Sequence, residues 1–201
     1  MLSFGNSIGI TDDGTVVFWD GTSWTTLTSG TTQDLFAISG SNASNVWAVG
    51  ATSEIIKWNG TAWTTQSAPN GVNDDLNGVW AANNNTVVAV GARGRVLRTT
   101  NSGVAWANFD SNTPNTVTLH SVWGSATNSI WIVGTGGTVR FFNGTWGAQT
   151  SGVTTTLFSI AGANATNIWA AGQSGDIVRF DGTTWTKPQS DTNQSLNGIH
   201  V

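Results

Sequence analysis

The sequence predicts an all-β fold built from five copies of one four-stranded antiparallel unit, and three observations carry that prediction. Five leucines, Leu35, Leu76, Leu119, Leu157 and Leu196, each open a short apolar run, at separations of 41, 43, 38 and 39 residues. Each period divides at turn residues into four strand-sized pieces, which is the signature of propeller blades rather than of a sandwich or a solenoid. The two ends also complement each other: the first copy lacks its opening strand, while Ser195-Leu-Asn-Gly-Ile-His-Val201 copies Asp75-Leu-Asn-Gly-Val-Trp-Ala81 and then stops. The expected architecture is a five-bladed β-propeller, one domain over 1–201. Its blades are bounded at 195–201 plus 1–33, 34–74, 75–117, 118–155 and 156–194, and the C-terminal strand closes the ring by joining the N-terminal blade.

In chain order, the first strand of each unit reads Leu-x-small-Val/Ile, as in Leu119-His-Ser-Val122 and Leu157-Phe-Ser-Ile160, and is placed innermost. The second, such as Val46-Trp-Ala-Val-Gly50 or Ile130-Trp-Ile-Val-Gly134, carries apolar residues of both parities. A strand packed on two sides needs no polar face, so alternation is lost there. An aromatic marks the third strand at Trp19, Trp58, Phe142 and Phe180, with Thr99 the exception. Turn residues tolerant of positive φ then follow at Asp20-Gly, Asn59-Gly, Asn143-Gly and Asp181-Gly, suited to tight hairpins. A tryptophan opens the fourth strand in all five units: Trp24, Trp63, Trp106, Trp146 and Trp185. Burying each would remove ~150–250 Å² from water, worth about 4–6 kcal/mol before chain entropy. Pro188 agrees with an outer edge strand, where no ladder donor is needed.

Composition narrows the partners. Only 9% of residues are charged and the formal net charge is −4, with seven basic residues scattered singly. No phosphate-neutralising patch exists, and nucleic acid and anionic membrane surfaces are excluded as partners. No apolar run approaches transmembrane length. The absence of cysteine excludes disulfides and thiolate metal sites. The opening residues contain neither a basic nor an apolar stretch, so no signal peptide is expected, although the Thr/Asn/Ser/Gly-rich surface resembles that of secreted or cell-surface bacterial modules.

The pattern Leu-x-x-Val/Ile, Trp-Ala-Val-Gly and Gly-x-Ile-x-Arg-Phe-Asp-Gly-Thr-Thr-Trp resembles BNR/Asp-box propeller repeats, including those of photosystem II assembly-factor-like proteins. Thr99-Thr-Asn101-Ser-Gly103-Val-Ala-Trp106 is similar to a full Asp-box with Asn101 in the aspartate position; the other four are shortened to Asp/Asn-Gly-(Thr)-x-Trp. The five-bladed plan also resembles the tachylectins, non-catalytic sugar binders, without a tachylectin motif. The Asp-box resemblance implies turn roles for Asp20, Asn59, Asn101, Asn143 and Asp181.

Sialidases also carry Asp-boxes, but their chemistry needs a tyrosine nucleophile and an arginine cluster, and this chain has no tyrosine. Other glycosidases need two carboxylates at a set separation. Glu54, Asp12-Asp13 and Asp74-Asp75 fall in predicted loops, where turn or solvated roles suit them. His120 and His200 occupy different positions of the inner strand, so no metal site is expected; no cofactor is implied. What remains is the residue following each anchor leucine: Phe36, Asn77, His120, Phe158 and Asn197. These vary where the scaffold does not, and they are expected at a channel mouth. Mixed aromatic and amide groups there suit a neutral polar ligand. The reading is a non-enzymatic binding module, monomeric or a small homo-oligomer, with glycans as first guess. The alternatives are a structural or protein–protein interaction scaffold, including a piece of a larger repeat assembly, and, with less support, a glycoside hydrolase.

Overall fold

The computed structural model describes residues 7–201. Five antiparallel sheets follow one another along the chain, each a simple meander. The first has three strands, β1 (Ser7–Ile10), β2 (Val16–Trp19) and β3 (Trp24–Leu27). The second comprises β4 (Leu35–Asn42), β5 (Asn45–Gly50), β6 (Ile55–Trp58) and β7 (Trp63–Thr65). The third comprises β8 (Leu76–Ala81), β9 (Val87–Gly91), β10 (Val96–Thr99) and β11 (Ala107–Asn108). The fourth runs β12 (Leu119–Ala126), β13 (Ser129–Gly134), β14 (Val139–Phe142) and β15 (Trp146–Gln149). The fifth runs β16 (Leu157–Asn164), β17 (Asn167–Gly172), β18 (Ile177–Phe180) and β19 (Trp185–Thr186).

Two compact units are present, Met1–Ala89 with Leu97–Phe109, and Val90–Val96 with Asp110–Val201. Within the first, Trp47, Val49, Leu76, Val87 and Leu97 form a buried cluster between the second and third sheets, and Val16, Leu35, Val46 and Trp63 form another between the first and second. Within the second, Trp131, Val133, Leu157, Ile168 and Val178 pack between the fourth and fifth sheets. The second strands are the most deeply covered: β5 and β9 are buried along their full length. This is the two-sided burial that their mixed parity demands.

The turns follow the sequence closely. Asp20 Oδ1 accepts the backbone N–H groups of Thr22 and Ser23 at 2.7 and 2.8 Å, and Asp181 Oδ1 those of Thr183 and Thr184 at 2.9 Å. Asn59 does the same for Thr61 and Ala62 with its carbonyl oxygen. Each hairpin sets its third-strand aromatic against the tryptophan that opens the fourth: Trp19 pairs with Trp24, Trp58 with Trp63, Phe142 with Trp146 and Phe180 with Trp185, ring centroids 5.3–5.6 Å apart. The third sheet has Thr99 there instead; its hydroxyl accepts the Gly103 N–H and donates to Asn101 Oδ1, which in turn accepts from Ala105 N. The Asp-box-like turn thus replaces an aromatic pair.

Two expectations meet a different structure. Among the described residues, 195–201 belong to no sheet, and the first sheet has three strands. The five recurring tryptophans are also unequal. Trp63 and Trp106 are buried and Trp146 and Trp185 half-buried, but Trp24 is 56% exposed. Covering comes from the preceding sheet: Trp106 stands edge-on to Trp47 of β5, and Trp185 edge-on to Trp131 of β13. Trp24 lies in the first sheet, which has no predecessor within its unit.

Candidate functional site

The inner strands explain how a variable residue can be displayed on an invariant scaffold. In β4, β12 and β16 the pairing register shifts immediately after the anchor leucine: Leu35 opposes Gly50 and Ala37 opposes Val49, Leu119 opposes Gly134 and Ser121 opposes Val133, and Leu157 opposes Gly172 and Ser159 opposes Ala171. The residue left over is Phe36, His120 or Phe158. A bulge inserts one unpaired residue and re-aims its side chain, so the three sequence candidates are bulge residues in three different sheets.

The glycine ending each second strand makes this end of the sheet tight. A Cβ on Gly50, Gly134 or Gly172 would lie 1.8–2.3 Å from the carbonyl oxygen of Asp34, Thr118 or Thr156. The turn that follows takes two consecutive residues through positive φ, for example Gly136 and Gly137, or Thr52 and Ser53. It rests against the link entering an inner strand: Asp34 Oδ1 accepts Asp13 N at 2.9 Å and Asp75 Oδ1 accepts Thr52 N at 3.0 Å. The second-to-third-strand turns and the bulge residues therefore share one end of each sheet. The Asp20, Asn59, Asn143 and Asp181 hairpins lie at the other.

At that end, Phe36 is 42% exposed in the first unit, and Asn77, second residue of β8, is half-buried. In the second unit the His120 and Phe158 rings meet edge-to-face at 5.5 Å, and burial holds the His120 imidazole below its ordinary value, so it is neutral at pH 7. Asn197 is exposed, beside a Leu196 whose N–H donates to Gly172 O at 2.9 Å. The structure thus joins His120 with Phe158 directly.

Polar clefts beside the same turns went unnoticed in the sequence. One of about 650 Å³ lies between the Ser174–Asp176 turn and the Lys187–Asn193 segment, and another of about 540 Å³ is lined by Asp13, Ser29, Thr31 and Glu54. In the first, burial pushes the Asp176 carboxyl up, but Lys187 Nζ at 2.6 Å and the Thr155 hydroxyl outweigh it and hold the group below its ordinary value. In the second, burial raises the Glu54 carboxyl. Among the described residues no three His, Asp or Glu side chains gather where a metal ion could be held, and no helix is long and apolar enough to cross a membrane.

No protein-family model and no curated protein matches the chain. Solved structures do match. The WD40 repeats of RRP9 superpose with a TM-score of 0.72 at 11% identity, covering 91% of this chain, which spans 60% of that one. YCF48 bound to D1 peptide gives 0.48 at 14% identity over 93% of this chain and 80% of that one, and YCF48 from Cyanidioschyzon merolae gives 0.49 at 15% over 94% and 83%. Together with successive antiparallel meanders whose anchor leucines recur about every 40 residues, the RRP9 likeness identifies the fold as a β-propeller.

Proposed function

We propose that the chain is a non-catalytic protein-interaction propeller, five blades in a single ring, with its first blade completed by residues 195–201. The bulge residues of the inner strands form its contact surface. The observation that carries this reading is the repeated bulge, which places Phe36, His120 and Phe158 at the turn-bearing end of their sheets and leaves Phe36 among the few exposed large apolar side chains of the described residues. A neutral imidazole beside an aromatic ring, with an exposed phenyl group and no excess charge, suits an uncharged polypeptide segment bearing apolar side chains. Six of the eleven carboxylates are otherwise engaged: Asp13, Asp20, Asp34, Asp75 and Asp181 accept backbone N–H groups, and Asp176 is paired with Lys187.

The test is selection of linear peptides from a random library on the purified protein, with a glycan array run in parallel. A selected peptide should lose about tenfold in affinity on Phe36→Ser, the cost of removing one apolar anchor, while the melting temperature stays put. Array binding without any peptide would return the glycan reading. Peptide binding unchanged by Phe36→Ser would remove the bulge surface from the proposal.

A further inference from the structure

We infer that the fourth sheet carries a carboxylate-binding site, in which the main-chain N–H of Gly136 takes one oxygen of an external carboxylate and Arg140 supplies the opposite charge. The inference goes beyond the polypeptide-contact reading and stands without it, since no bulge residue takes part.

The turn between the second and third strands is built alike in successive sheets, and in two of them it already holds a carboxylate. Asp13 and Gly14, Thr52 and Ser53, and Gly136 and Gly137 each pass through positive φ, between 52° and 75°. Successive N–H groups presented by such a turn form a concavity that favours anions. In the first two sheets the first of these N–H groups is donated to an aspartate: Asp13 N to Asp34 Oδ1 at 2.9 Å, and Thr52 N to Asp75 Oδ1 at 3.0 Å. Both aspartates immediately precede an anchor leucine, Leu35 or Leu76.

For the fourth sheet's turn the residue at that position is Thr156, before Leu157. Its backbone is held as that of Asp34 is: Gln173 N donates to Thr156 O at 2.8 Å, and Ala51 N to Asp34 O at 2.9 Å. The second N–H of the turn is satisfied, Gly137 N donating to Thr155 O at 2.7 Å. The Gly136 N–H has no acceptor among the described residues. Gly136 is exposed, and a Cβ built on it would meet nothing within 4 Å. The aspartate is missing while the donor that it serves elsewhere stays in place and open.

The charges around the turn select the ligand. Gly136 lines a cleft of about 530 Å³, walled on its other side by the 148–154 segment, and Arg140 is the one charged residue in its lining. Arg140 Nη2 donates to Asn112 O at 2.8 Å, which uses one of the five N–H donors of a guanidinium. A main-chain N–H and an arginine facing one cleft without a carboxylate of their own suit a planar anion. The corresponding clefts already contain carboxylates. Asp13 and Glu54 line that of the first sheet, and Asp176 and Asp191 that of the fifth, where Lys187 is paired with Asp176. What the first two sheets carry as an aspartate, the fourth takes from outside.

The amide resonance of Gly136 in the isotope-labelled full chain reads this site directly. At neutral pH and constant ionic strength, sodium acetate should move it saturably and sodium chloride should not. Acetyl-aspartyl amide and acetyl-glycine then separate a side-chain carboxylate from a chain-terminal one, and the neutral acetyl-asparaginyl amide should be inert; a response to acetate alone assigns the site to small organic acids. Thr156→Asp, which restores the aspartate of the first two sheets, should shift the resonance without any ligand and abolish the acetate response. Arg140→Gln should weaken acetate binding severalfold. A Gly136 amide that ignores acetate, moves equally with chloride, or keeps its acetate response in Thr156→Asp would overturn the inference. An acetate affinity unchanged in Arg140→Gln would remove the arginine from the site.

Discussion

Ser129→Asn should stabilise the protein, and the reason lies in an unequal treatment of three equivalent tryptophans. Trp47 donates its indole N–H to Asn45 Oδ1 at 3.1 Å, and Trp169 to Asn167 Oδ1 at 3.0 Å. The equivalent of these asparagines in the fourth sheet is Ser129, whose side chain is too short to reach, and the Trp131 indole N–H is buried without an acceptor. The rest of the arrangement is already in place. Asn45 Nδ2 donates to Ser41 Oγ at 2.8 Å, and Ser125, the equivalent of Ser41, now donates to Ser129 Oγ. An asparagine at 129 would bond the indole on one side and Ser125 on the other. Satisfying one buried donor is worth about 1 kcal/mol net, or a rise of roughly 2–4 °C for a chain of this length. The reverse changes set the scale. Asn45→Ser strands the indole of Trp47, which is 0% exposed, and should cost about 1–3 kcal/mol. Asn167→Ser should cost less, since Trp169 is half-buried and water can reach it. Urea denaturation of the three single variants is the assay. A Ser129→Asn protein no more stable than the parent, alongside a destabilised Asn45→Ser, would refute the claim that the missing bond is what separates the fourth sheet from the second.

Two further perturbations separate local strain from packing and charge from shape. Gly136→Ala and Gly137→Ala both place a side chain at positive φ, about 1–2 kcal/mol, but only at Gly137 would the Cβ lie 2.0 Å from Val153 O. That clash displaces the link and its bonds, Gly137 N to Thr155 O and Ser151 Oγ to Gly137 O, both 2.7 Å, adding roughly 1 kcal/mol for each; equal losses in urea would contradict this. The turn carboxylates of Asp20 and Asp181 are held below their ordinary value by the N–H groups of Ser23 and Thr22, and of Thr184 and Thr183. A depressed folded-state value gives stability that is complete above the ordinary carboxylate range and lost as pH falls through the folded value. Asp181→Asn should therefore match the parent at pH 7 and melt at a higher temperature than the parent in strong acid; parallel melting curves from neutral to acid pH would count against it.

The scaffold was legible because each blade must meet the same neighbour in the same way. The second strands had to lose their alternation to be buried on both sides, and Trp47, Ala48 and Val49 are indeed all at 0% exposure. The Asp20 and Asn59 turns were legible for a different reason: side-chain acceptors two and three residues before a backbone donor are a local matter, decided within four residues. Trp24 was not legible. Its burial depends on which sheet stands before it, and no local pattern distinguishes it from Trp63.

The bulges sit between these cases and bear on the contact surface. In Leu119-His-Ser-Val122 and Leu157-Phe-Ser-Ile160 the two apolar residues are three apart, and both are buried in the structure. In a strand of period two, an odd spacing puts them on opposite faces. Here a residue is dropped from the count between them: the register shifts after Leu119 and Leu157 do this at His120 and Phe158. The odd spacing was visible from the start; its consequence is that the variable residue leaves the alternation altogether. Its identity is then released from the ladder's alternation, which is why the bulge position can carry Phe36, His120 and Phe158, and why the proposed contact surface could diversify there without disturbing the fold.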